Sequence, residues 1–211
     1  MNNSSSMTYD TLADDAVVAA TISALKERGI EGEVVATKEE AFEKIKSMIP
    51  AGASVNNGAS VTLQEIGFVD YLKAGEHGWN NLHGKALAEQ DPTAQKKLRQ
   101  EAYFADYYLG SVHAAAQTGE LVIASNSGSQ LSPIITTSPN VIFVVSVQKI
   151  TQTLAEAMDR LMTHVVPLED ARMKSVGMGG TSVNKVLTFE REPAYTGRKI
   201  TVIFVKEKLG F

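Results

Sequence analysis

"NVIFVVSV", residues 140–147, decides the fold of this chain. The run is nearly all apolar and rich in β-branched residues. Such a stretch suits a strand covered on both faces, as in a parallel sheet flanked by helices. The segments around it alternate in type. Downstream, Leu154, Met158 and Leu161 recur at i, i+4, i+7 and predict a helix. "KVLTF" (185–189) and "KITVIFV" (199–205) read as late strands, the last expected as an added, antiparallel strand at a sheet edge. Upstream, "ELVIAS" (120–125) is strand-like, and "DYYLGS" (106–111) carries no assignment. Asp91 as N-cap and Pro92 at N1 open a helix with Leu98, Ala102 and Ala105 on one face.

The N-terminal half repeats the alternation. Val18, Ile22 and Leu25 predict a helix within residues 10–28. "EVVA" (33–36) follows as a strand. Thr37 and Glu40 fit a capping box for a helix with Phe42, Ile45 and Ile49 on its buried stripe. Pro50 and Gly52 stop that helix, "ASV" (53–55) begins a second strand, and Thr62 with Glu65 reads as another capping box. "HGWNNL" (77–82) holds a further short strand. The fold class expected is α/β with a largely parallel sheet. Residues 1–9 read as a polar tail and 10–211 as one domain.

Bulk properties narrow the function. The 211 residues suffice for one large domain. A formal net charge of -4 argues against a phosphate-neutralising surface, so nucleic acid is not expected as a partner. No apolar run approaches the roughly 20 residues that span a bilayer, and "MNNSSSMTYD" lacks a signal-peptide pattern. No membrane contact is expected, and the cytoplasm is the expected compartment. The chain has no cysteine, which removes thiol nucleophiles, disulfides, Cys-based zinc sites and thiolate-held iron–sulfur clusters.

Three loops follow candidate strands, where open α/β sheets tend to bind ligands. "NNGAS" (56–60) offers two amides, a flexible glycine and a helix start that favours an anion; a plain Asn-Gly turn with an N-cap is the alternative. "AQTGEL" (116–121) places Thr118 and Glu120 around Gly119, giving a carboxylate for acid/base work or a solvated turn. "SNSGSQLSP" (125–133) can cradle an anion through backbone amides or serve as a polar connection. The histidines, His77, His83, His113 and His164, show no metal-ligand spacing and no metal is expected. His113 is singled out for its closeness to "QTGE". "GMGGTS" (177–182) is not a dinucleotide-binding fingerprint.

In order and spacing these loops resemble the LUD (lactate-utilisation) domain family. The stretches that carry the likeness are "IPAGASVNNGASVTLQEIGFVDYL" (49–72), "ADYYLGSVHAAAQTGELVIAS" (105–125), "NVIFVVSVQKITQTLAEAMDRL" (140–161) and "KITVIFVKEKLGF" (199–211). The resemblance implies a three-layer α/β/α domain similar to ribose-5-phosphate isomerase, glucosamine-6-phosphate deaminase and the CoA transferases. It implies an accessory role in L-lactate oxidation to pyruvate, beside an iron–sulfur subunit and a cysteine-rich subunit that would hold the clusters; this chain is expected to bind no cofactor. Many relatives read "AETG" where Gln117 stands here, and many carry a cysteine-rich insert that residues 178–198 lack. The ligand-facing set expected is Asn56, Asn57, Gly58, Ser60, Glu65, Thr118, Gly119, Asn126, Ser127, Gln130 and Lys149, with Glu120 as the acid/base candidate. The ligand expected is a small organic anion. An independent enzyme acting on a sugar phosphate or CoA thioester is the alternative, a sensing or scaffold module the third. A homo-oligomer is left open.

Overall fold

The computed structural model describes residues 9–211. All but Tyr9 of the expected tail therefore lies outside the described residues. Ten strands form: β1 (Glu31–Val35), β2 (Ser54–Asn57), β3 (Asn80–Asn81), β4 (Tyr107–Gly110), β5 (Ala114–Ala116), β6 (Leu121–Ser125), β7 (Asn140–Ser146), β8 (Ile150–Thr151), β9 (Lys185–Phe189) and β10 (Lys199–Val205). Eight α-helices accompany them: α1 (Asp15–Glu27), α2 (Lys38–Met48), α3 (Val61–Glu65), α4 (Phe68–Ala74), α5 (Leu82–Ala88), α6 (Pro92–Ala102), α7 (Leu154–Arg160) and α8 (Val166–Ser175).

A six-stranded sheet runs β1-β10-β7-β4-β2-β3, with every pair parallel. β7 sits inside it, and its side chains alternate between two cores. Val141, Phe143 and Val145 face α1 and a second sheet. Ile142 and Val144 face α2, α3 and α4 through Ile45, Leu63 and Phe68. This is the covered-on-both-faces arrangement that an uninterrupted apolar run demands. The layering is three-layer α/β/α, as expected.

The second sheet, β8-β5-β6-β9, is mixed; β5, β6 and β9 run antiparallel, and β8 pairs parallel with β5. It packs on α7 and the turn that follows it through Ala114, Val122, Ala157 and Leu161. One expectation fails here. β10 is neither antiparallel nor at an edge; it lies between β1 and β7 in parallel register. The reason is burial: Ile200 to Val205 are all buried, and a run with no polar face cannot sit at an edge. "DYYLGS" becomes the inner strand β4.

Several local signals match the structure. Thr37 caps α2 by accepting from the Glu40 N–H, and Glu40 returns a carboxylate oxygen to the Ala36 N–H. Asp91 caps α6 by accepting from the Ala94 N–H. At α3 the expected pair is displaced: Ser60, not Thr62, is the cap, accepting from the Leu63 N–H. A π-turn over Leu161–Val165 joins α7 to α8 just before Pro167, which has no N–H to continue a regular ladder.

Candidate functional site

β2, β4 and β7 are parallel, so their carboxyl ends meet at one edge of the six-stranded sheet. A cleft of about 540 Å³ opens there. The first and third sequence loops line it, at Asn57, Gly58 and Ser60 and at Asn126, Ser127 and Gln130. The π-turn and the 181–183 segment close the other side through Leu161, Val165 and Thr181.

Lys149, just beyond the carboxyl end of β7, reaches the floor. It is not a surface lysine: only 4% of it is exposed. Its ammonium donates to Thr62 Oγ1 at 3.0 Å and Ser111 Oγ at 3.2 Å. No carboxylate lies within ion-pair distance of it among the described residues. Burial first, with the Arg160 guanidinium adding to it and Glu65 pulling the other way, brings its pKa down to about 7. Gly210 completes the niche, since a side chain there would collide with Thr62 Oγ1 and crowd Lys149 Nζ.

His113 stands on the same wall. Its Nδ1 accepts from the Ala124 N–H at 3.1 Å, so a neutral ring carries its proton on Nε2. Burial, then Lys149, then Arg160 hold its pKa down to about 3, which keeps it neutral near pH 7. Behind it, fully buried Arg160 donates Nη1 to the His113 carbonyl, while its Nε and Nη2 have no partner. The floor is thus electropositive.

The remaining expected residues divide sharply. Asn57 Nδ2 donates to the Gly58 carbonyl, and its buried Oδ1 has no partner. Ser60 is occupied in capping α3. That helix has a single turn, too short for the helix-start anion site expected there. Ser127 donates to Ser129 Oγ, Gln130 to the Ala124 carbonyl, and Asn126 to the Ser182 carbonyl. Asn56 turns away from the cleft into an adjoining chamber of about 560 Å³, and its Nδ2 donates to the Ala102 carbonyl. Glu65 lines neither space; its Oε2 accepts from the Gly210 N–H at 2.7 Å. Tyr108 also lines the second chamber, with its buried hydroxyl unpartnered against Gly58.

The "AQTGEL" loop is a hairpin turn between β5 and β6, and it lies apart from both spaces. Gly119 packs on the end of α1 against Ala24 and Arg28, with φ at +95°. Glu120 pairs with Arg28 at 2.5 Å and accepts from Thr118. The carboxylate expected as acid/base therefore holds the hairpin to α1, because antiparallel pairing of β5 with β6 turns this loop away from the parallel sheet's ligand edge. Sequence reasoning raised His113 for its closeness to that loop. The structure brings it to the cleft on the short connection between β4 and β5 instead. Thr62, Ser111 and Arg160 were missed, since a lone hydroxyl or arginine gives no pattern. Among the described residues no cluster of potential ligands could hold a metal ion. No helix among them is long and apolar enough to cross a membrane.

These features are those of an α/β protein with an open cleft at the carboxyl edge of its parallel sheet and a buried lysine on the cleft floor. The LUD domain family model matches residues 18–206, and the chain belongs to the LUD domain family. It is accordingly a lactate-utilisation-related protein. A crystal structure of a DUF162 family protein from Deinococcus radiodurans shares the fold, at 15% identity and a TM-score of 0.56. The alignment covers 92% of this chain and 99% of that one. No curated protein matches the chain.

Proposed function

We propose that this chain is an accessory subunit of L-lactate oxidation to pyruvate that binds a small organic anion at Lys149. The observation that carries the reading is a buried lysine on the cleft floor with hydroxyl partners and no carboxylate. A buried charge is costly unless it is paired, and an incoming carboxylate would supply the missing partner. Ser111 and Thr62 orient the ammonium, and neutral His113 offers an Nε2 proton to a second oxygen of the ligand. Iron–sulfur clusters would reside in partner subunits, as a chain without cysteine has no thiolate to hold them.

A second reading draws support from size. About 540 Å³ is far more than a three-carbon acid fills and falls in the range of larger ligands. An independent enzyme acting on a sugar phosphate or a CoA thioester would use that space. Thermal shift with lactate, pyruvate, ribose 5-phosphate and acetyl-CoA separates the two. Ligand at a hundred times Kd stabilises by about 2.7 kcal/mol, a rise of roughly 5–10 °C for a domain of this size. A rise with lactate or pyruvate that Lys149→Met abolishes supports the accessory subunit. A rise only with the larger ligands supports the second reading. No rise with any ligand refutes Lys149 as an anion site in the isolated chain.

A further inference from the structure

Lys149 has the surroundings of an amine nucleophile as well as those of an anion clamp. Amines become nucleophilic in proteins when they are desolvated and lie near another cation with no carboxylate to hold the proton. Lys149 meets each condition by geometry. It is buried on the floor of an open cleft, its ion-pair sphere holds no acid among the described residues, and Arg160, behind His113, opposes its charge. Ser111 Oγ and Thr62 Oγ1, at 3.2 and 3.0 Å, can accept a proton from Nζ and pass one back. Glu65 favours the charged form of Lys149 but makes no ion pair with it, its carboxylate accepting from the Gly210 N–H, and Glu169 pairs with Arg172.

We propose that Lys149 forms an imine with the carbonyl carbon of a 2-oxo acid bound in the cleft. The inference rests on the anion reading above and adds a covalent step to it. Nζ adds to C2, the carbonyl oxygen takes up the two amine protons and departs as water, and Nζ is left doubly bonded to C2. No oxidant or reductant is consumed. The hydroxyls of Ser111 and Thr62 are placed to relay those protons, and His113 Nε2–H is placed to hold the acid's carboxylate. A 2-hydroxy acid has no carbonyl and can occupy the same cleft only non-covalently. The imine would also acidify the C–H bonds next to C2, so solvent exchange of the methyl hydrogens of pyruvate is an expected side activity.

The test is reductive trapping of the full chain. The protein is incubated with pyruvate and sodium cyanoborohydride, then digested and read by mass spectrometry, with lactate as the carbonyl-free control. The expected result is one N-(1-carboxyethyl) group, a secondary amine, on the Lys149 peptide. It should be absent with lactate and lost in Lys149→Arg, which keeps the charge but cannot form the imine. Exchange of pyruvate methyl protons in deuterated water should fall to the uncatalysed rate in the same variant. An adduct on other lysines, or one that persists in Lys149→Arg, overturns the proposal. A thermal shift with pyruvate but no adduct overturns the imine and leaves the anion site standing. Neither shift nor adduct overturns both.

Discussion

Replacing Lys149 by Met should make the folded protein more stable, and the gain should depend on pH. The ordinary lysine value of 10.5 falls to about 7 in the fold. Between those values the unfolded chain holds a proton that the folded chain has released. Stability of the wild type therefore rises with pH across that window, by at most about 1.4 kcal/mol per pH unit from this group. Below pH 7 both states are protonated and the full penalty applies. A depression of this size corresponds to about 4–5 kcal/mol over the window, an upper figure for a buried group. Met keeps the length of the side chain and removes the charge. It also strips the Thr62 and Ser111 hydroxyls of their partner, at a cost of about 1–3 kcal/mol. The net expectation at pH 7 is a gain of about 1–3 kcal/mol, seen as a higher urea midpoint. At pH 9.5 the two proteins should differ far less. Urea titrations of both from pH 6 to 9.5 measure this. The difference between them isolates Lys149 from every other titrating group. A variant destabilised at pH 7, with the same pH slope as the wild type, would show that the fold already neutralises this charge.

Other expectations are equally specific. Glu120→Gln should cost about 1–3 kcal/mol by loosening the Arg28 contact, yet leave pyruvate-induced thermal shift intact, because Glu120 lies away from the cleft. A lost shift at unchanged stability would put the hairpin back in the site. Tyr108→Phe removes a buried hydroxyl without a partner and should be neutral or slightly stabilising by urea titration. Gly58→Ala drives a methyl into that hydroxyl and should cost about 1–3 kcal/mol, and the double variant with Tyr108→Phe should recover most of it. Additive costs in the double variant would mean the glycine is needed for another reason. Arg198→Met should cost about 3–5 kcal/mol by the same titration. It leaves buried Glu192 unpaired and frees the Pro133, Ile134, Ile135 and Ser138 carbonyls that the guanidinium holds.

The fold was legible where one periodicity dominated. β7, α1, α2 and α6 each announce themselves by an uninterrupted apolar run, a helical stripe or a cap. β4 did not, because "YYLG" is four residues long and ends in a glycine that a strand seldom favours. The place of β10 was misjudged for a different reason. Chain order put it last, and a terminal strand invites an edge position, but its two apolar faces contain the contrary information. A strand with nothing polar to show to water belongs inside a parallel sheet.

The site was legible only in its loops. Position after a strand points to "NNGAS", because β2 is parallel and delivers its carboxyl end to the edge where the cleft opens; "SNSGSQLSP" lines the same cleft although it follows β6 of the mixed sheet. The same rule misplaced "AQTGEL", whose flanking strands are antiparallel and send their turn the other way. Pairing direction, which is set by tertiary contacts, decided which carboxylate could reach a ligand. Lys149 shows the deeper limit. In the sequence it is an ordinary lysine after a strand, equally compatible with a solvated surface. Its character comes from what surrounds it: hydroxyls contributed from positions 62 and 111, an arginine at 160, and the absence of an acid within ion-pair distance among the described residues. None of these is adjacent to it in the chain. A perturbed ionisable group is a property of an enclosure, and an enclosure exists only once distant segments have packed. The cost of holding such a lysine without an acidic partner is carried by the rest of the fold, which accords with the anion-binding role proposed for it.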